Sequence, residues 1–329
     1  VKTYLIRRLL LIIPTFVGVS LITFAVIQLA PGSPLTVRLQ GAEGGMNAAS
    51  QQMVEQTKAL YGLDKPLHER YALWMWRLVR FDFGNSYRDH RPVIEKIGEA
   101  LPVTLQLNLL SIFLAYLIAI PIGVYSATRQ YSLLDSTLTF TLFILYSIPS
   151  FWAATMLLML LTSGDYWQVF PSYGIQSIGS ESWPWHQRML DRLWHFGLPL
   201  ICYTYASLAG ISRYMRASML ESIRQDYIRT ARAFGFRERT VIYRYAMRNS
   251  LIPLVTLFGG LLPSLIGGSV IIESIFSIPG MGRLAFESVL FRDYPAIMGI
   301  FTITALLTML GLLLSDLLTA LVNPRISFK

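Results

Sequence analysis

Six stretches of the chain run for twenty residues or more without a charged side chain: 9–30, 100–128, 136–164, 193–212, 249–272 and 294–315. About 20 consecutive apolar residues are needed for a helix to cross roughly 30 Å of hydrocarbon. The pattern therefore predicts an all-α integral membrane protein with six transmembrane helices. The fourth stretch is the shortest and carries His195. Between the first two stretches, residues 31–50 are rich in Gly, Ser and Pro and read as a loop. A helical pattern follows at 51–61, and aromatics with balanced charge then continue to the second span. This predicts a small helical cap outside the membrane over 31–99. The connection before the fourth span carries tryptophans at 167, 183, 185 and 194, a composition that favours the headgroup region. Pro121 and Pro149 fall inside the second and third stretches, where each removes a helix hydrogen bond and can kink the helix. Tolerated distortion and a hinge for moving helices are both open readings of these prolines.

The connection between the fourth and fifth spans has a different pattern. "DYIRTARAFGFRERTVIYRYAMRNS" (226–250) holds six arginines, two acids and one central glycine. Tyr227, Ala231 and Phe234 recur at helical spacing with Ile228 alongside, and Arg229 and Arg232 flank them. Gly235 can end that short helix in a left-handed conformation. A second helical segment, 238–248, leads into the fifth span. The spacing suits either a helix offered to a partner's groove or a basic helix lying on anionic lipid.

Composition agrees with a membrane protein: 53% of the 329 residues are hydrophobic and 14% are charged. The apolar run of the first span is too long for a signal-peptide core, which makes it a retained anchor. Cationic residues set the orientation. With both termini in the cytoplasm, the inner side carries 15 Lys and Arg against 4 acids, and the outer side 13 against 13. Inner positive charge is the rule for membrane proteins. The net charge of +9 raises nucleic acid as a partner, but no stacking platform or DNA-binding motif accompanies the arginines.

Catalytic signatures are missing. None of the five lysines follows a glycine, so the chain lacks a Walker nucleotide loop. The four histidines (68, 90, 186, 195) are scattered, no Gly-x-Ser-x-Gly elbow occurs, and Cys202 stands alone as a structural thiol inside a span. Glu273 and Asp316 sit at span ends, where side chains can reach the interface. No ionisable group is predicted near the midplane, which disfavours a proton-coupled carrier. These features predict a chain that is not an enzyme and holds no metal or cofactor of its own.

Gly235, preceded by "RTARAF" and followed by "YRYAMRNSLIPL", resembles the cytoplasmic loop of permease subunits from bacterial ATP-binding-cassette importers. That loop is written Glu-Ala-Ala, three residues, Gly, nine residues, Ile-x-Leu-Pro. Here Arg229 takes the glutamate position, Thr230 and Ala231 the alanines, and Tyr245, Met247 and Arg248 the distal positions. "YLIRRLLLIIPTFVGVSLITFAVIQLAPGSP", "YGLDKPLHERY", "FDFGNSY", "LPVTLQLNLLS" and "ESIFSIPGMGRLAFESVLFRDYP" extend the similarity to the dipeptide/oligopeptide branch over the full length. The terminal "LLSDLLTALVNPRISF" resembles that branch's closing Asp-Pro-Arg-Ile pattern, with Asn323 in place of the aspartate. "SWPWHQRMLDRLWHFGLPL" resembles the Yej-type subgroup associated with oligopeptide and microcin C uptake.

The resemblance implies a type I importer permease fold in a bacterial inner membrane. It further implies a first transmembrane helix at 1–30, a periplasmic cap at 31–99, a permease core at 100–323 with its coupling loop at 213–249, and a cytoplasmic tail at 324–329. The implied partners are a second homologous permease in a heterodimer, two ATPases or one fused ATPase binding ATP and magnesium, a periplasmic or lipoprotein binding protein, and a peptide cargo. Nickel, glutathione or oligosaccharide cargo are the alternatives within that family. By the resemblance, Tyr227, Ile228, Arg229, Thr230, Ala231, Arg232, Phe234 and Gly235 couple to the ATPase. Glu273, Pro279, Gly280, Gly282, Arg283, Arg292 and Asp293 gate the outer mouth or meet the binding protein. Turn formation by "IPGMG" is an equal account of its glycines.

Overall fold

The computed structural model describes residues 2–29, 65–261 and 264–322. The expected loop at 31–50, the helical pattern at 51–61 and the tail at 324–329 lie outside the described residues. Those described fold into helices, with one isolated bridge between Asn85 and Pro92. In chain order the helices are α1 (Lys2–Leu29), α2 (Leu67–Val79), α3 (Val93–Thr128), α4 (Leu133–Ser147), α5 (Ser150–Thr162), α6 (Trp185–Ile223) and α7 (Asp226–Ala233). After a single turn at Glu238–Thr240 and a π-helix at Val241–Ala246 come α8 (Met247–Leu261), α9 (Ser264–Gly267), α10 (Val270–Ile275), α11 (Met281–Leu290) and α12 (Tyr294–Val322).

Among the described residues, three helices are long and apolar enough to cross a membrane, within Arg7–Leu29, Val93–Thr128 and Tyr294–Leu317. The apolar stretch at 136–164 forms two helices, α4 and α5, bent by 95° at their junction. The bend has a local cause. A residue before proline is steered out of the helical region, and Ile148 is extended at φ −80°, ψ 121° before Pro149, the residue that precedes α5. Tyr205 Oη donates to the Ile148 carbonyl at 2.9 Å, replacing the helix bond lost there. Pro149 thus breaks its apolar stretch into two helices, whereas Pro121 lies within the unbroken α3. The fourth stretch belongs to α6, which at 39 residues extends well past both of its apolar limits. The fifth is divided among α8, α9 and α10, and Ser269 Oγ caps the last by accepting from Ile272 N at 3.3 Å.

Contacts divide the chain into two compact units. One takes the residues up to Leu101 together with Leu284–Met309. Here Phe24 of α1 packs edge-on to Tyr71 and along Trp74 of α2, with ring centroids 5.3 and 6.5 Å apart, and Ser20 hydrogen-bonds Tyr71 Oη at 2.9 Å. A tight turn before α3 closes through Ser86 N to Arg91 O and Val93 N to Gly84 O.

The other unit takes Pro102–Arg283 and the residues from Leu310. It holds two buried clusters of interest. Leu107, Ala154, Phe196, Leu198, Ile272 and Ile278 form one. Val124, Met215, Met219, Ile228, Ala231, Val241, Ala246 and Leu254 form the second, which fixes the elbow after α6.

Candidate functional site: the arginine-rich elbow and the buried glutamate

The elbow is built by its own sequence. Asp226 lies in the first turn of α7 and Arg232 in its last, each complementing the helix dipole. Gly235 adopts φ +75°, and its N–H reaches Arg232 O at 2.9 Å while Phe236 N reaches Ala231 O at 3.3 Å. This pair of bonds is the left-handed C-terminal cap that the glycine predicts. Arg232 then forks onto Glu238 across the turn, at 2.6 and 3.2 Å. The arginine holds the Glu238 carboxyl below its usual range, and the carboxylate raises the guanidinium in return.

The apolar stripe read from spacing is split by the fold. Ile228 and Ala231 are buried against Met215, Met219 and Val241 of the chain's own core. Tyr227 and Phe234 point outward, Phe234 at 77% exposure, with Arg229 and Thr230 on the same open side. Two features bear on the coupling expectation. Ile228 and Ala231 cannot enter a partner's groove while they fill this core. Arg232 is already engaged by Glu238, and the exposed Arg229 has a 3.5 Å contact with Asp226.

A second construction surrounds Glu273. The sequence places this acid at a span end, where it could reach the membrane surface. The structure buries it completely, with 0% exposure. Its carboxylate accepts from Arg283 N at 2.9 Å, Thr104 Oγ1 at 3.1 Å and Tyr203 Oη at 3.4 Å, and Gly282 N adds a further donor. The two hydroxyls are relays: Met281 N donates to Thr104 Oγ1 at 2.8 Å and Ser269 N to Tyr203 Oη at 2.9 Å. The first N–H groups of a helix lack intrahelical acceptors, and here Glu273 and Thr104 supply them for α11. One carboxylate thereby ties α3, α6, α10 and the start of α11 together. At Gly280 a Cβ would stand 2.5 Å from the Glu273 Cδ, so the glycine admits the carboxylate.

The residues assigned to an outer gate are divided between the two units. Glu273, Gly280, Gly282 and Arg283 belong to the second unit, where Gly280 and Gly282 are buried and Pro279 is exposed. Arg292 and Asp293 belong to the first. Asp293 is buried and accepts from Ser86 Oγ at 2.5 Å and Tyr87 N at 2.9 Å, pinning the start of α12 to the turn before α3. In that turn Asp89 feels burial, which would raise its carboxyl. Hydrogen bonds from Lys96, Ser86 and the Arg91 amide outweigh this and lower it to about 2.

Sequence reading missed Thr104, Tyr203, and the pair of Asp135 with Arg216 at 3.0 Å, a buried carboxylate in the first turn of α4. Their partners lie 70 to 169 positions away, so local spacing carried no sign of them. The capping pattern at Ser132 and Asp135, where Ser132 Oγ accepts from Asp135 N, was the one local clue.

Residues 119–328 match the family described as binding-protein-dependent transport system inner membrane component, and residues 1–108 match the N-terminal membrane component of such systems. The chain belongs to this family of transporter permeases: it is a non-catalytic integral membrane subunit of an ATP-binding-cassette system, in which a partner ATPase hydrolyses ATP. Among particular relatives, the oligopeptide transport system permease protein AppB of Bacillus subtilis is 42% identical, over 99% of both chains. The dipeptide transport system permease protein DppB of Escherichia coli K12 is 35% identical over 99% of both. The peptidoglycan transport system permease protein YejB of Agrobacterium fabrum is 34% identical, over 99% of this chain and 98% of its own. Among solved structures, an inward-facing MetNI methionine ABC transporter chain superposes with a TM-score of 0.53 at 18% identity, covering 70% of this chain and 97% of its own. That likeness places the chain in the type I permease fold.

Proposed function

We propose that the chain is the membrane path of an ATP-driven importer of oligopeptides or dipeptides, working as one half of a permease heterodimer. Full-length similarity to permeases named for oligopeptide and dipeptide transport supports the cargo class. The six apolar stretches serve as six crossings with both termini cytoplasmic. The segment 31–99 is a periplasmic cap, 100–323 the permease core with its coupling loop at 213–249, and 324–329 a cytoplasmic tail. A binding protein delivers cargo outside, and two ATPases, or one fused ATPase, grip the elbows inside.

The observation that carries this reading is the two-sided elbow. Ile228 and Ala231 root α7 in its own chain, while Tyr227, Arg229, Thr230 and Phe234 are left open. A helix rooted on one side and free on the other can pass a push from a docked ATPase to the spans behind it. ATP shifts the equilibrium between inward- and outward-facing states only by binding one of them better, and the rooted helix conveys that preference. In the second unit the Glu273 tie stabilises the outer turn that begins α11.

Replacing Tyr227 and Phe234 together by Glu tests the docking role. Both side chains are exposed, so membrane insertion and thermal stability should hold, whereas co-purification of the ATPase and ATP-dependent peptide uptake should be lost. Wild-type uptake by the double variant would refute the coupling assignment.

A further inference from the structure

The opening turns of α6 carry two stripes. Trp185, Met189 and Leu193 recur every fourth residue and are all exposed, and Arg188 and Arg192 lie beside them at the same spacing. The two arginines, with Gln106 and Gln176, line a cavity of about 360 Å³ within the second unit, whose apolar lining includes Leu110 and Leu193.

No carboxylate lines this cavity. The neighbouring acid, Asp191, is turned to Ser177, accepting from its N–H at 2.7 Å and its hydroxyl at 2.6 Å. Among the described residues neither arginine has an acidic partner, and the polar contact of Arg192 is a 3.3 Å bond to the neutral Gln176 Oε1. Two guanidiniums thus face a cavity with their charge unneutralised. Arginine forks match the oxygens of a phosphate or a carboxylate, so an anion fits.

The apolar stripe decides which anion. A peptide cargo is zwitterionic and would need an acid for its ammonium group, which the lining lacks. An exposed Trp, Met and Leu stripe beside cations is the arrangement that seats a helix at a lipid interface. We propose that the cavity holds the phosphate-bearing headgroup of an anionic glycerophospholipid, with its acyl chains over Leu193, Met189 and Trp185. This rests on the reading that the start of α6 lies at a membrane face. It assigns the chain a fixed lipid site separate from the elbow and from the Glu273 turn.

Native mass spectrometry of the full chain, purified with its co-expressed ATPase and equilibrated with equimolar phosphatidylglycerol and phosphatidylcholine, reads the site. The wild type should retain phosphatidylglycerol preferentially. Arg188→Gln and Arg192→Gln should each lower the ratio of the two lipids about fivefold, the effect expected of one cation near an anionic surface, while Arg188→Lys keeps most of the preference. An unchanged ratio in the doubly substituted chain would overturn the proposal. So would capture of an added oligopeptide, in place of lipid, by a photoreactive group at position 189. Co-purified ATPase in the same spectra reports the coupling assignment separately, so either reading can fail alone.

Discussion

Glu273 shows how much one side chain can organise in a membrane protein. A buried carboxylate without donors costs several kcal/mol, yet this one is met by donors: backbone amides including those of Gly282 and Arg283, and two hydroxyls that are themselves held by amides. An acid suits the position because its two carboxyl oxygens can accept from all of these donors. Glutamine, of nearly the same shape, would turn an NH₂ group toward at least one of those donors. Glu273→Gln should therefore destabilise the second unit by about 1–3 kcal/mol, and amide hydrogen exchange at Gly282 and Arg283 should accelerate. Unchanged exchange at both amides would show that the carboxylate is not what holds the start of α11. Asp293 does comparable work in the other unit, fixing the first turn of α12 through Ser86 and Tyr87.

At the scale of elements, α7 is an eight-residue helix that could not persist alone. Its stability comes from Ile228 and Ala231 in the core and from the Gly235 cap. Ile228→Ala should cost about 2–4 kcal/mol and speed hydrogen exchange over 226–235, whereas Phe234→Ala should leave both within error. Much of this helix was legible in the sequence. The helical spacing of Tyr227, Ala231 and Phe234 and the glycine after them predicted a short helix ending at Gly235. Which side it presents was not legible, because Ile228 and Phe234 are equally apolar and only the tertiary fold distinguishes them. The same divide runs through the spans. Apolar run length located α1, α3 and α12, but a run of residues cannot show that α4 and α5 turn through 95° at Pro149 or that α6 continues for 39 residues. The π-helix at Val241–Ala246 had no signal either, since its residues fit the ordinary helical pattern of 238–248.

For the whole molecule, the proposed function gives the membrane crossings and the elbow one purpose, converting closure of an ATPase into movement of a path for peptides. That conversion depends on the segment joining them, and the joint is the π-helix. A π-turn holds one more residue than an α-turn. Rewinding it as α-helix by deleting Tyr243 would rotate everything upstream by about 100° around the axis and draw it in by about 1.5 Å. The deletion should leave the protein inserted but unseat Ile228 and Ala231 and turn Tyr227 and Phe234 away from the ATPase, so that uptake is lost; normal uptake would show that the joint tolerates any winding. A single surplus residue in the backbone thus sets the timing mark of the machine, the angle at which its drive shaft meets its engine.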